Sequence, residues 1–180
     1  GGTPSVLSPA HLEKILELVK FHFDFKPGAE WTVECNPDDL TPAYLEILKG
    51  QGFNRISIGI QSFHERDLEL MRRSHQAIQA AQSVKDAAAA GFENITMDLI
   101  YGVPGQSIEE WEENIHKALS LPISHLSAYH LTFEPGTVFD HWRKKERLLP
   151  AHEEESVNQY KLLRTKLLEK GFEHYEISNF

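Results

Sequence analysis

The sequence is short of cysteine: Cys35 is the only one among 180 residues. A single thiol excludes an internal disulfide, and it also excludes a metal site built from several cysteines of this chain. Proteins without disulfides are typical of reducing compartments, so we expect a cytoplasmic protein.

The sequence also lacks long hydrophobic runs and an excess of positive charge. No apolar stretch approaches the roughly 18 residues that a membrane-spanning helix needs, and no signal-peptide pattern opens the chain. With 18 basic against 27 acidic residues the net charge is -9, which argues against nucleic acid as the main partner. Hydrophobic residues make up 41% of the chain, so residues 1–180 can form one globular domain with its own core.

Short apolar runs alternate with helical patterns along the chain. We expect parallel strands over residues 31–35, 55–60, 94–100 and 125–131, and a fifth strand over residues 174–180. Gly-Phe pairs at 52–53, 91–92 and 171–172 separate a helix from the next strand, as in a parallel β/α array. Five strands cannot close an eight-stranded barrel. The predicted fold is therefore α/β, a partial parallel (β/α) barrel of the TIM type.

One of the predicted helices has an unusual composition. It begins near Ser74, and its spacing turns Ala77, Ala81, Val84 and Ala88 towards the sheet. Small side chains on this face would let the helix lie close to the strands.

Polar side chains close three of the apolar runs. Glu34, Gln61 and Asp98 each follow such a run, and each is followed by a helical pattern. Because parallel strands end at the same rim of a sheet, we expect these three side chains to lie together at a binding mouth. Carboxylates accept hydrogen bonds from ammonium and hydroxyl groups, and Arg73 could pair with a carboxylate. The set suits a ligand such as an amino acid joined to a ribose.

Two other interpretations fit the same residues. An unrelated βα-barrel lyase or hydrolase could use Glu34 and Asp98 as acid and base. Alternatively, the chain is a non-catalytic module in which these side chains only cap the ends of strands and helices on the surface.

Five segments carry a resemblance to a known family. They are residues 1–5 (GGTPS), 34–37 (ECNP), 58–63 (IGIQSF), 98–106 (DLIYGVPGQ) and 175–180 (YEISNF). Together they resemble the radical S-adenosylmethionine (SAM) family of oxygen-independent coproporphyrinogen III oxidases, in order and over essentially the whole chain. The segments at 34–37 and 175–180 are most similar to the HemW-type haem-chaperone branch of that family.

The resemblance implies a fold, cofactors and site residues. The family has a partial (β/α)₆ barrel that holds a [4Fe–4S] cluster and SAM at its mouth, and its haem-chaperone branch has haem or porphyrin as a partner. The other possibility within the family is a coproporphyrinogen III dehydrogenase of haem biosynthesis. The positions that match SAM-contacting residues of the family are Gly1, Gly2, Thr3, Glu34, Gln61, Arg73, Asp98 and Thr132.

Two parts of the family pattern do not occur in this sequence. The Cys-x-x-x-Cys-x-x-Cys motif that holds the cluster is missing, and so is the family's haem-binding segment, which would follow residue 180. The chain opens on Gly1 rather than on Met, with no strand before it. We therefore expect a fragment from the centre of a radical SAM barrel, in which residues 171–180 begin the next region. We also expect it to be catalytically inactive by itself.

Overall fold

The computed structural model describes residues 3–180, so the predicted site residues Gly1 and Gly2 lie outside the described residues. Strands and helices alternate along most of this range. The strands are β1 (Thr32–Cys35), β2 (Arg55–Gln61), β3 (Asn94–Tyr101) and β4 (His125–His130). The helices are α1 (Pro9–His22), α2 (Pro42–Gly50), α3 (Glu65–Leu70), α4 (Ala77–Ala89), α5 (Ile108–Leu119), α6 (Val138–Lys144) and α7 (Glu153–Glu169).

The strands form one parallel sheet in the order β1-β2-β3-β4. Glu34 pairs with Ser57 across the first pair of strands, and Asp98 pairs with Ser127 across the last. Parallel neighbours that are consecutive in the chain require a helical crossover between them, which the sequence supplies each time. The structure therefore confirms the predicted parallel α/β array, an open sheet consistent with part of a barrel.

Local sequence signals set several element boundaries. Ser107 and Glu110 form a capping box at the start of α5, because each side chain accepts a hydrogen bond from the other residue's backbone N–H. Thr41 caps α2 by accepting from the N–H of Tyr44 at 3.2 Å. Just after the C-terminus of α4, Gly91 has a φ of 88°, a left-handed conformation that favours glycine and ends the helix.

The two faces of the sheet differ in polarity. Residues such as Ile56, Ile58 and Met97 are fully buried on one face, where they pack with side chains of the helices. The alternate positions carry polar or small residues, which are Thr32, Glu34, Arg55, Ser57, Gly59, Thr96, Asp98, His125 and Ser127. Parallel strands buried on both faces are normally apolar throughout. The alternation therefore marks one face of this sheet as the wall of a polar space.

The predicted fifth strand is wrong. The chain makes a tight turn after Glu176, where the N–H of Asn179 donates to the Glu176 carbonyl at 3.1 Å. The returning residues run antiparallel to β4, with the Ala128 N–H donating to the Ser178 carbonyl at 2.8 Å. Because the turn reverses the chain, residues 174–180 contact the free edge of β4 without adding a parallel strand.

The predicted inner face of α4 is also partly wrong. The fully buried residues are Ala80, Ser83, Val84 and Ala87, so of the predicted set only Val84 is fully buried. Ala81 and Ala88 are partly buried and pack against the core beside them. The helix begins at Ala77 instead of near Ser74, because the side chains of Gln76 and Gln79 form a capping box there.

Candidate functional site

A polar cleft of about 180 Å³ lies at the carboxyl ends of β1, β2 and β3. Its lining residues are Thr3, Glu34, Cys35, Asn36, Ser57, Gly59, Gln61, Arg73 and Asp98. The structure thus brings together Thr3, Glu34, Gln61, Arg73 and Asp98 of the predicted set. Thr132 is exposed just beyond β4 and is not among the lining residues.

Gln61 ends β2 in an unusual backbone conformation. Its φ is 69°, and the pairing register with β3 shifts between Ile58 and Gln61. The N–H of Ser62 donates to the carbonyl of Ile60 at 2.9 Å, so Gln61 is the central residue of a γ-turn. A non-glycine residue with this φ is strained, and such strain is concentrated at functional sites.

Gly59 forms the floor beneath Gln61 and Arg73. A Cβ at position 59 would lie 2.9 Å from Gln61 Nε2 and 3.3 Å from Arg73 Nη2. Only a residue without a side chain therefore leaves these two polar groups where they are, which is a typical reason for glycine inside a strand.

Arg73 is held against the wall of the cleft by oxygen atoms. Its Nη2 donates to Asn36 Oδ1 at 2.9 Å and to the carbonyl of Gly59 at 3.1 Å. Burial lowers the pKa of Arg73, while the nearby carboxylates of Asp38 and Asp98 raise it. Arginine still keeps its charge near neutral pH, so it contributes a fixed cation to this wall.

Asp98 lies within β3, on the polar face of the sheet, and its carboxylate is near Arg73. Its Oδ2 accepts a hydrogen bond from Ser57 Oγ at 3.3 Å. Burial raises the pKa of Asp98, and the negative charge of Glu34 adds to that effect, whereas hydrogen bonds from Ser127 and Ser57 and the charge of Arg73 oppose it. A ligand that offered an ammonium or hydroxyl group here would stabilise the charged carboxylate.

Cys35 lines the same cleft but is a poor ligand for a metal. It is buried, and burial together with the charges of Asp39 and Glu34 raises its pKa to about 12, against a hydrogen bond from Ser5. The thiolate is the form that binds metals. Since no other cysteine occurs in the sequence, the residues present do not fit a [4Fe–4S] cluster.

A larger pocket of about 350 Å³ opens between the ends of β3 and β4 and helix α7. Tyr101, Val157 and Tyr160 supply much of its wall, and its polar contacts include His130 Nε2 and Ser156 Oγ, 2.9 Å apart. We locate the candidate site in the smaller cleft, because polar groups from three neighbouring strands converge there with the charged side chain of Arg73.

Three lining residues escaped the sequence analysis. Asn36 holds Arg73, Ser57 donates to Asp98, and Gly59 leaves room for both Gln61 and Arg73. The alternation of small or polar residues with isoleucine through Arg55–Gln61 was the available signal for Ser57 and Gly59, because it assigns them to the polar face.

Comparison with known proteins identifies the family. A sequence profile described as the Radical SAM superfamily matches residues 1–118. This chain belongs to the radical SAM superfamily. The match confirms the radical SAM superfamily, to which the five sequence segments pointed.

The curated relatives show which radical SAM proteins this chain is similar to. The chain is 39% identical over 180 residues to the heme chaperone HemW of Lactococcus lactis and 40% identical over 183 residues to that of Bacillus subtilis. It is 35% identical over 181 residues to the mouse "Radical S-adenosyl methionine domain-containing protein 1, mitochondrial". These alignments cover 100% of this chain but 48%, 48% and 41% of the relatives. The chain thus spans about half the length of the curated relatives that it matches.

Solved structures agree with this assignment. The coproporphyrinogen III oxidase HemN of Escherichia coli superposes with a TM-score of 0.87 at 26% identity, over 100% of this chain and 41% of that one. An archaeal Elp3 superposes with a TM-score of 0.75 over 92% of this chain and 43% of its own, but at 18% identity it supports the fold alone. The sequence and structural matches together confirm a partial radical SAM barrel that is similar to HemW in sequence and to HemN in structure. Among residues 3–180, no helix is long and apolar enough to cross a membrane.

Proposed function

We propose that the strand-end cleft binds SAM in a HemW-like protein involved in haem delivery. The observation that carries this proposal is the convergence of Glu34, Gln61, Arg73 and Asp98 on one cleft at the carboxyl ends of parallel strands. This is the edge of a parallel sheet at which ligands bind. The family match makes SAM the ligand to test first.

The donor and acceptor set of the cleft fits the groups that SAM presents. Glu34 and Asp98 would accept hydrogen bonds from its ammonium and ribose hydroxyl groups, and Arg73 would pair with its carboxylate. The Gln61 amide can both donate and accept hydrogen bonds, so it can bind the carboxylate of SAM or its ammonium and hydroxyl groups. Thr3 lines the same cleft beside β1. We propose the same contact role for Gly1, Gly2 and Thr132 on the strength of the sequence motif alone.

SAM when bound would supply an activated carbon–sulfur bond. Its reductive cleavage requires an electron from an iron–sulfur cluster, and this chain does not carry the cysteines to hold one. We therefore propose that the chain by itself binds SAM without cleaving it. A [4Fe–4S] cluster belongs to the proposal only where thiolates are supplied from outside these 180 residues.

Haem is the proposed cargo, because the named bacterial relatives are heme chaperones. A coproporphyrinogen III oxidase is the second candidate, and the TM-score of 0.87 to HemN favours it. Under either candidate the chain would serve a protein that acts on a porphyrin-type molecule, and it would bind SAM in the same cleft. A cytoplasmic location remains our proposal from the sequence. The family match gives no support to an unrelated lyase or hydrolase.

Titration with SAM tests the proposal directly. Ligand-detected NMR reports binding even when the dissociation constant is in the millimolar range, so it suits a cleft that lacks the cluster. We expect saturable binding of SAM that exceeds binding of free adenosine, because adenosine lacks the charged methionyl end. Gln61→Ala should weaken SAM binding by about two- to tenfold, the value of one neutral hydrogen bond.

Asn54→Ala serves as the matched control. Asn54 is also a side-chain amide next to β2, but at the opposite end, where it bonds the N–H of Trp31 at 2.8 Å and the carbonyl of Ala29 at 2.9 Å. This variant should bind SAM as the unmodified chain does. No saturable binding of SAM, or equal loss in both variants, would refute the assignment of the cleft.

A further inference from the structure

A buried polar network holds the strained turn at Gln61. The two residues that follow Gln61 are Ser62, which is fully buried, and Phe63. The backbone N–H of Phe63 donates to Asn114 Oδ1 at 2.6 Å, and Ser62 Oγ lies 3.3 Å from the same oxygen. Asn114 belongs to α5 and is itself 0% exposed. A distant helix therefore anchors the backbone just beyond the cleft.

The other side of the turn is held by His75. Its Nε2 lies 3.0 Å from the carbonyl oxygen of Ile60, and the residue is only 2% exposed. A carbonyl only accepts hydrogen bonds, so the imidazole must donate through Nε2. The same carbonyl accepts the N–H of Ser62 in the γ-turn. His75 thus stabilises the reversed backbone conformation that carries Gln61.

Burying these groups is unfavourable in itself. Asn114 Nδ2 and His75 Nδ1 are buried and have no hydrogen-bond partner among residues 3–180. Apolar side chains of similar size would avoid this desolvation, so packing alone does not account for the two residues. What the two residues share is a hydrogen bond to a backbone atom within two residues of Gln61.

We infer that Asn114 and His75 are positioning residues for Gln61, holding its amide over Gly59 in the cleft. Gln61 Nε2 approaches the Gly59 floor so closely that a methyl group there would come within 2.9 Å. The amide therefore occupies a defined place, and a turn with positive φ would relax to an ordinary conformation without its two anchors. This inference rests on the proposed SAM cleft.

The first test measures the turn without any ligand. NMR spectra of Asn114→Ala and His75→Ala should show shifted side-chain amide signals of Gln61. Hydrogen exchange at the Phe63 amide should be at least tenfold faster in Asn114→Ala. His75→Gln places an amide donor near the Ile60 carbonyl, so it should restore most of the native spectrum. Unchanged Gln61 signals in both alanine variants would overturn the inference, whether or not SAM binds.

The second test is a double-mutant cycle on SAM affinity. Asn114→Ala alone should weaken binding by about two- to tenfold, as Gln61→Ala does. If Asn114 acts through Gln61, adding Asn114→Ala to Gln61→Ala should cost no further affinity. Additive losses would mean that Asn114 supports the fold generally, and they would overturn the positioning role.

Failure of the inference is distinguishable from failure of the proposed function. Absence of SAM binding by the unmodified chain refutes the function, and the ligand-free spectra then decide the positioning role alone. If Asn114→Ala does not fold, the His75→Ala and His75→Gln pair carries both measurements. Asn54→Ala is again the control, because it removes a backbone-binding amide at the far end of β2.

Discussion

Gly59→Ala is the substitution that most directly tests the geometry of the cleft. The added methyl group would lie 2.9 Å from Gln61 Nε2 and 3.3 Å from Arg73 Nη2, and 3.8 Å from the carbonyl of Cys35. The first distance is shorter than real Cβ contacts, so the amide has to retreat by about half an ångström to reach ordinary van der Waals contact. The two nearest atoms, Gln61 Nε2 and Arg73 Nη2, are at the ends of flexible side chains, so they can move away from the added methyl group.

We expect the fold to tolerate this change. The φ of Gly59 is not positive, and alanine loses less conformational entropy than glycine on folding, so the free energy of unfolding should change by less than about 1 kcal/mol. Binding should suffer more, because the methyl group displaces two polar side chains and fills part of a cleft of about 180 Å³. Loss of the ligand hydrogen bonds of both Gln61 and the charged Arg73 corresponds to about ten- to hundredfold weaker SAM binding.

Thermal unfolding and SAM titration by ligand-detected NMR would measure the two effects separately. Gly50→Ala is the matched control, since a Cβ there meets nothing within 4 Å and Gly50 ends α2 away from the cleft. It should leave SAM binding unchanged. If Gly59→Ala bound SAM like the unmodified chain, Gln61 and Arg73 would not be ligand-contacting groups at the positions described here.

Two further predictions concern buried carboxylates. Asp98→Asn should raise the free energy of unfolding at neutral pH while weakening SAM binding about tenfold or more. The pKa of Asp98 is raised above its ordinary value of 3.8, so the stability contribution of this carboxyl is fully present below pH 3.8 and is lost as the pH rises through the folded-state pKa. Urea unfolding at pH 3 and pH 7 should therefore show a difference only at pH 7, and equal stability at pH 7 would contradict this account. Asp140→Asn should loosen α6, because the Asp140 carboxylate has three hydrogen-bond partners there. Oδ1 accepts from Arg143 Nη2 and Oδ2 accepts from Lys144 Nζ, each at 2.7 Å. Oδ2 also accepts from the backbone N–H of Gly136. These partners hold the pKa of Asp140 well below its usual range. The stability that the charged carboxylate contributes is therefore present above the ordinary pKa of aspartate, and it is lost as the pH falls through the folded-state pKa. Trypsin should cut at Arg143 and Lys144 several-fold faster in this variant, and unchanged cleavage would argue against the role of Asp140.

Much of the fold follows from signals that act over a few residues. Apolar runs predicted all four strands to within two residues at each end. The capping box at Ser107 and the left-handed glycine before Phe92 marked the ends of helices correctly. Such signals are local, because a cap or a positive φ is decided by the residue and its immediate neighbours.

Predictions that depend on contacts between distant elements were less successful. The helical period alone could not distinguish a buried face centred on Ala80 from one centred on Ala81, since the packing partner in the sheet decides it. Residues 174–180 have the composition of a strand, but their direction depends on a tight turn and on the free edge of β4.

The order of helices and strands, the parallel direction of the sheet and the convergence of Glu34, Gln61 and Asp98 were determined by the sequence. Residue spacing alone places each of these side chains in, or at the end of, a strand of one parallel array. Only the tertiary structure decided the conformation of Gln61 and the contacts of Gly59, His75 and Asn114. The reason is that these contacts join residues up to 52 positions apart in the chain, which no local pattern specifies.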